Sequence, residues 1–98
     1  MASSKDPEGA EIRALERLFD LTDKRVLEIG SGEGRLTWRY AGATRSVLAV
    51  EPDAEAVALA QAEIPPELAD RVSFRVLDAG ELDEPRGSFD VAFLSWSL

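Results

Sequence analysis

The chain has 98 residues and contains neither cysteine nor histidine. The first absence excludes disulfides and cysteine-based metal sites. The second removes the commonest general base and the commonest metal ligand. No apolar run approaches the length needed to span a bilayer, and the N-terminal MASSKDPEGA is too polar for a secretory signal or an anchor. A cytoplasmic location is therefore the default expectation. Basic residues are also scarce: 11 Lys and Arg stand against 19 Asp and Glu, a net charge of −8. Tight binding to bare nucleic acid needs a basic face, so this balance speaks against it. The acidity either serves solubility alone or places some carboxylates against a cationic ligand.

What is present suits one small, soluble, globular domain, with 45% hydrophobic and 31% charged residues. Residues 1–9 read as a flexible lead-in. Residues 10–21 carry Ile12, Leu15, Leu18 and Phe19 at helical spacing. RVLEI, Arg25–Ile29, is a short apolar strand followed by a glycine-rich loop. Residues 33–41 are again helical, with Leu36 and Tyr40 four apart and Gly42 placed to end the helix. SVLAVE, Ser46–Glu51, is a second strand. A helix over 52–64 opens at Pro52 and Asp53 and is closed by Pro65 and Pro66. A third strand spans 71–77. The polar segment 78–88, with breakers Pro85 and Gly87, leaves room for one or two helical turns before a fourth strand over 89–96. Strands alternating with helices, three of the strands apolar along nearly their whole length, predict a parallel sheet covered by helices on both faces.

The loop EIGSGEG, 28–34, holds glycines at 30, 32 and 34. A dinucleotide fingerprint, G-x-G-x-x-G, requires the third glycine at position 35, which is Arg35. A Walker phosphate loop requires Gly-Lys-Ser/Thr, and Gly34 is followed by Arg35 and Leu36. What remains is a strand-to-helix turn whose glycines allow tight turning and close approach of a ligand, or a purely structural turn. Glu51 ends the second strand, where a carboxylate can accept hydrogen bonds from both ribose hydroxyls. Asp78 ends the third strand and can accept one from an exocyclic amine. Either acid alone can be a solvated strand-end residue, but the loop and both acids fall on one sheet edge. Glu28, Glu33, Glu51 and Asp78 near one pocket suit a nucleoside bearing positive charge rather than a pyrophosphate. S-adenosylmethionine, with its sulfonium and ammonium groups, fits that description. Glu33 is the weakest of the four, since an acid at a helix start is favourable on its own account.

On these residues the sequence resembles the class I S-adenosylmethionine-dependent methyltransferases. VLEIGSGEGRLT is similar to the family's first motif, AVEPD to its second, RVLDAGEL to its third and GSFDVAFLSWSL to the start of its fourth. The resemblance implies a Rossmann-like three-layer α/β sandwich with strand order 3-2-1-4, truncated relative to the full seven-stranded fold, and a partial cofactor-binding domain over 10–98. It implies that Glu28 and the loop at Gly30, Ser31, Gly32 and Gly34 hold the methionine end of the cofactor. Glu51 would take the ribose, Pro52 would pack beside the adenine, and Asp78 would meet its amine, with Ala79 and Gly80 contributing backbone. Ser95 and Trp96 would line the methyl-transfer opening, though Trp96 serves equally well as a packing residue. Enzymes methylating amino groups of nucleic-acid bases typically carry Asn/Asp-Pro-Pro-Tyr/Phe where this chain has SWSL, which favours a small-molecule acceptor.

The family's sheet continues past strand four with three further strands. The expectation is therefore a fragment supplying the cofactor-binding half, releasing S-adenosylhomocysteine if active, with no catalytic base assigned. The strand-four edge, VAFLSW, bare in such a fragment, offers two competing explanations: an edge-to-edge homodimer, or a later segment supplied by another chain. A non-catalytic binding or pairing module is the alternative. A nicotinamide-dependent oxidoreductase is a weaker one, resting on Gly30, Gly32 and Glu51.

Overall fold

The computed structural model describes residues 20–84 and 87–95. Four parallel strands, β1 (Arg25–Ile29), β2 (Ser46–Glu51), β3 (Val72–Val76) and β4 (Val91–Leu94), form one sheet in the order β3-β2-β1-β4. Val26, Leu27 and Val47 to Val50 are buried, as strands covered on both faces require. Ile29 pairs with Val50 and Leu94, and Glu51 with Val76. The carboxyl ends of all four strands therefore lie along a single edge.

Among the described residues both α-helices, α1 (Arg35–Tyr40) and α2 (Ala54–Glu63), pack on one face of the sheet. There Leu36, Tyr40, Val57 and Ala60 meet Val26, Val47, Ala49, Val72 and Phe74. Right-handed crossovers dictate this placement, because β1 to β2 and β2 to β3 both step in the same direction. The return from β3 to β4 steps the other way and must cross the opposite face. It does so as a connector, whose Leu82 and Phe89 cover Leu27, Leu48 and Val50. Among the described residues the third layer of the expected sandwich is thus a loop and a short turn rather than a helix.

Element boundaries differ from expectation where packing or capping decides them. The helix expected over 33–41 begins at Arg35 after Gly34, whose φ is 87°, and tightens into a turn at Ala41–Ala43 that contains Gly42. The Arg71 guanidinium donates to the carbonyls of Gly42 and Thr44, occupying acceptors that the helix end leaves over. In α2, Asp53 is the N-cap, its carboxylate accepting from the N–H of Glu55 at 3.0 Å and of Ala56 at 3.4 Å. Ile64, before Pro65, is extended. The third strand is shorter than 71–77 and alternates at its start, as an outer strand does, with Val76 52% exposed. The fourth spans Val91–Leu94 rather than 89–96. Of the helix expected over 10–21, only Asp20 and Leu21 lie within the described residues, and neither is helical; Leu21 is buried in the core. The lead-in 1–9 and Trp96 lie outside the described residues.

Candidate active site

The direction of the chain reverses beside β1: it leaves β1 through α1 to β2 on one side, and returns from β3 to β4 on the other. Ligands in open α/β sheets bind in the crevice at such a switch point. Two cavities occur there. One, of about 540 Å³, is lined by the glycine loop, Glu33, Arg35, Glu51, Asp53 and Ser95. The other, of about 320 Å³, is lined by Ile29, Val50, Pro52, Leu77, Asp78 and Leu94. Gly30 and Glu51 border both, so together the cavities make one bipartite cleft. Its first half is polar and its second largely apolar, as an amino-acid tail and a flat base would need. A third cavity of about 500 Å³, near Leu21, Trp38 and Leu68, is lined by none of these residues.

The loop is built from left-handed glycines: φ is 80° at Gly30, 59° at Gly32 and 87° at Gly34. Two of these have distinct reasons. A Cβ on Gly34 would fall 2.8 Å from Trp38 Cζ2 and 3.2 Å from Phe74 Cζ, so this position is fixed by core packing. A Cβ on Gly32 would meet nothing within 4 Å, so it would project into open space beside the cleft. Glu51 holds the loop to the sheet edge. One of its oxygens accepts from Gly32 N–H at 2.8 Å and the other from Asp53 N–H at 3.0 Å. A carboxylate has about four acceptor positions, so each oxygen keeps one for a ligand hydroxyl.

Asp78 stands beyond β3 at the border of the apolar half. Its N–H donates to Glu81 at 3.0 Å, and the turn Ala79–Glu81 that follows carries Ala79 and Gly80. Ser95, at the end of β4, turns its hydroxyl toward the loop and donates to Gly30 O at 2.8 Å.

Glu28 departs from expectation. Strand periodicity puts it on the same face as Val26, beneath α1, and it is fully buried rather than a wall of the cleft. Thr37 and Tyr40 hydroxyls both donate to its Oε1 at 2.6 Å. Burial pushes its carboxyl pKa up, while the Thr37, Tyr40 and Ser95 hydroxyls favour the charged form. Tyr40 is raised well above its ordinary value, first by burial and then by the neighbouring Glu28. Among the described residues, Glu28 Oε2 and Ser31 Oγ are buried without a hydrogen-bond partner. Asp53, Arg35 and the apolar Leu77 and Leu94 line the cleft without having been singled out in the sequence. Asp53 carried a signal, standing two residues after Glu51 at a helix start.

The lining fits a nucleoside with a cationic tail. Glu33, Glu51 and Asp53 outnumber Arg35 in the polar half, which opposes a pyrophosphate, and two buried oxygens lack donors beside the loop.

A family model for the methyltransferase domain matches residues 26–98. The chain belongs to this family. These are class I S-adenosylmethionine-dependent methyltransferases, and S-adenosylmethionine is their cofactor. Over 80 residues the chain is 38% identical to the magnesium-protoporphyrin O-methyltransferase of Rhodobacter capsulatus, covering 81% of this chain and 34% of that protein. Among solved structures, an S-adenosylmethionine-dependent methyltransferase from Mesorhizobium loti aligns with TM-score 0.71 and 25% identity over 87% of this chain and 38% of the other. An RNA methyltransferase from Salinibacter ruber, in complex with S-adenosyl-L-homocysteine, aligns with TM-score 0.74 and 29% identity over 88% and 56%. The chain thus spans about a third of the length of the curated relative it matches.

Proposed function

We propose that this chain supplies the cofactor-binding half of a methyltransferase acting on a small molecule. The observation that carries the reading is Glu51 at the junction of the two half-cavities, anchored to Gly32 N–H and still able to accept from ribose hydroxyls. In this reading Gly30, Ser31 and Gly32 receive the amino-acid end, with Gly34 locking the loop. Pro52, Leu77 and Leu94 flank the base. Asp78 accepts from its amine, and the backbone at Ala79 and Gly80 closes that side. Glu28 acts from below, through the core, rather than by contact. Ser95 stands where the methyl group is presented. The cofactor supplies a methyl carbon activated by the sulfonium; the residues supply position. The acidic balance and the magnesium-protoporphyrin relative favour a small acceptor, while the RNA enzyme among the similar structures marks the competing class.

Calorimetric titration with S-adenosylhomocysteine tests the reading. Saturable binding that is lost in Glu51→Ala, and is tighter than binding of NADH, is the expected result. A folded wild-type sample that binds NADH more tightly overturns it in favour of an oxidoreductase. A second reading, a pairing module, rests on β4 as an outer strand with Leu94 42% exposed. Sedimentation velocity checks it: a monomer at high concentration removes it.

A further inference from the structure

A serine hydroxyl has one proton to donate. At Ser95 that proton has competing acceptors: Gly30 O at 2.8 Å, Ile29 O at 3.3 Å, and the Glu28 carboxyl, which shares its side of the sheet because Glu28 pairs with Phe93, two residues before Ser95. The proton goes to Gly30. Glu28 Oε2, on a fully buried side chain, is left with no donor at all, although an unsatisfied buried acceptor is costly. Gly30 and Ser95 both border the polar half of the cleft, so the carbonyl that Ser95 occupies is also one that a bound cation would seek.

We propose that Ser95 is an exchange residue that positions an ammonium-bearing ligand: the ligand's ammonium takes the Gly30 carbonyl from Ser95, and the hydroxyl turns to Glu28 Oε2. This rests on the cofactor reading above and deepens it. A neutral hydroxyl–carbonyl bond is replaced by two charge-assisted ones, ammonium to carbonyl and hydroxyl to carboxylate. The second also satisfies the buried oxygen. A nucleoside without an ammonium group cannot displace the hydroxyl, so the exchange selects for the amino-acid tail and not for the base.

The test compares S-adenosylhomocysteine with 5′-methylthioadenosine, which keeps the nucleoside and thioether but lacks the ammonium. In Ser95→Ala, affinity for S-adenosylhomocysteine should fall about five- to tenfold, the difference between a charge-assisted hydrogen bond in the bound state and a neutral one in the free state, while affinity for methylthioadenosine changes less than about twofold. Ser95→Thr, which keeps the hydroxyl, should restore the difference. In the wild type, isotope-edited infrared spectra should show the Glu28 carboxyl gaining a donor when S-adenosylhomocysteine binds and not when methylthioadenosine binds; this needs no variant. Equal losses for both ligands, tighter S-adenosylhomocysteine binding in Ser95→Ala, or an unchanged Glu28 band overturns the exchange alone. Failure of the wild type to bind either ligand overturns the cofactor reading, and the exchange with it.

Discussion

At Gly34 an added methyl group would press against Trp38, which itself stacks edge-on against Phe74 with ring centroids 5.4 Å apart. At Gly32, two residues earlier, it would enter open space. Both backbones are left-handed, so alanine is strained at each by about 1–2 kcal/mol. Only at Gly34 does overpacking add about 1–3 kcal/mol more. Gly34→Ala should therefore lower stability clearly more than Gly32→Ala in urea unfolding, while Gly32→Ala should cost more ligand affinity relative to its stability loss. The alternating glycines were readable in the sequence, and so was the identity of the ligand that carboxylates around them prefer. The division of labour between the two glycines was not, because it depends on a tryptophan brought over the loop by the first turn of α1. The burial of Glu28 was readable in principle from its alternation with Val26.

Among elements, the two ends of the sheet are pinned by acids in different ways. At the carboxyl end, Asp53 caps α2 and fixes the backbone that Glu51 grips. Asp53→Ala should cost about 1 kcal/mol of stability, a usual figure for a lost N-cap, and should also weaken ligand binding because Asp53 borders the cleft. At the amino end, Asp90 ties the start of β4 to β1. It accepts from Arg25 N–H at 2.8 Å and from the guanidinium at 3.1 and 3.2 Å. The Arg25 side chain and backbone hold the Asp90 carboxyl down to about 2, from an ordinary 3.8. A depressed acid stabilises the fold above its unfolded value and loses that contribution as pH falls through the folded one. Thermal unfolding should therefore show wild type losing its advantage over Asp90→Asn as pH falls from about 4 to about 2. Strand order was legible through the family resemblance, and the places of α1 and α2 through their periodicity and flanking breakers. The thinness of the third layer was legible in the short connector and its breakers, whereas the covering role of Leu82 and Phe89 was not, because that polar segment offers no periodicity.

For the whole molecule, charge is the property that separates the acceptor classes. With a net charge of −8, few phosphates can be neutralised, and affinity for polyanions should be weak and of shallow salt dependence. Fluorescence anisotropy with a single-stranded RNA at about 150 mM salt should show no saturation below about 100 µM. Submicromolar binding would shift the acceptor reading to nucleic acid. Among the described residues no helix is long and apolar enough to cross a membrane, and no group of acids is arranged to hold a metal ion. The acceptor class stayed illegible in the sequence for a physical reason. In the proposed reading the cleft residues at the strand ends serve the cofactor, and they carry no imprint of what receives the methyl group.

The buried layer between α1 and the sheet, where the Glu28 carboxyl lies, also contains the chain's sole tyrosine, Tyr40, its ring set edge-on against Phe93 and its hydroxyl on Glu28. That makes the protein its own optical probe. Ionisation of this phenol is suppressed well past its ordinary 10.0 for as long as the layer stays shut. In an alkaline titration, phenolate absorbance should be missing while circular dichroism remains native, then rise in one step with unfolding. An early rise with an ordinary midpoint would show that the layer opens by itself. Followed with and without ligand, the same ultraviolet signal reads out how firmly the core beneath α1 is held, with no label attached.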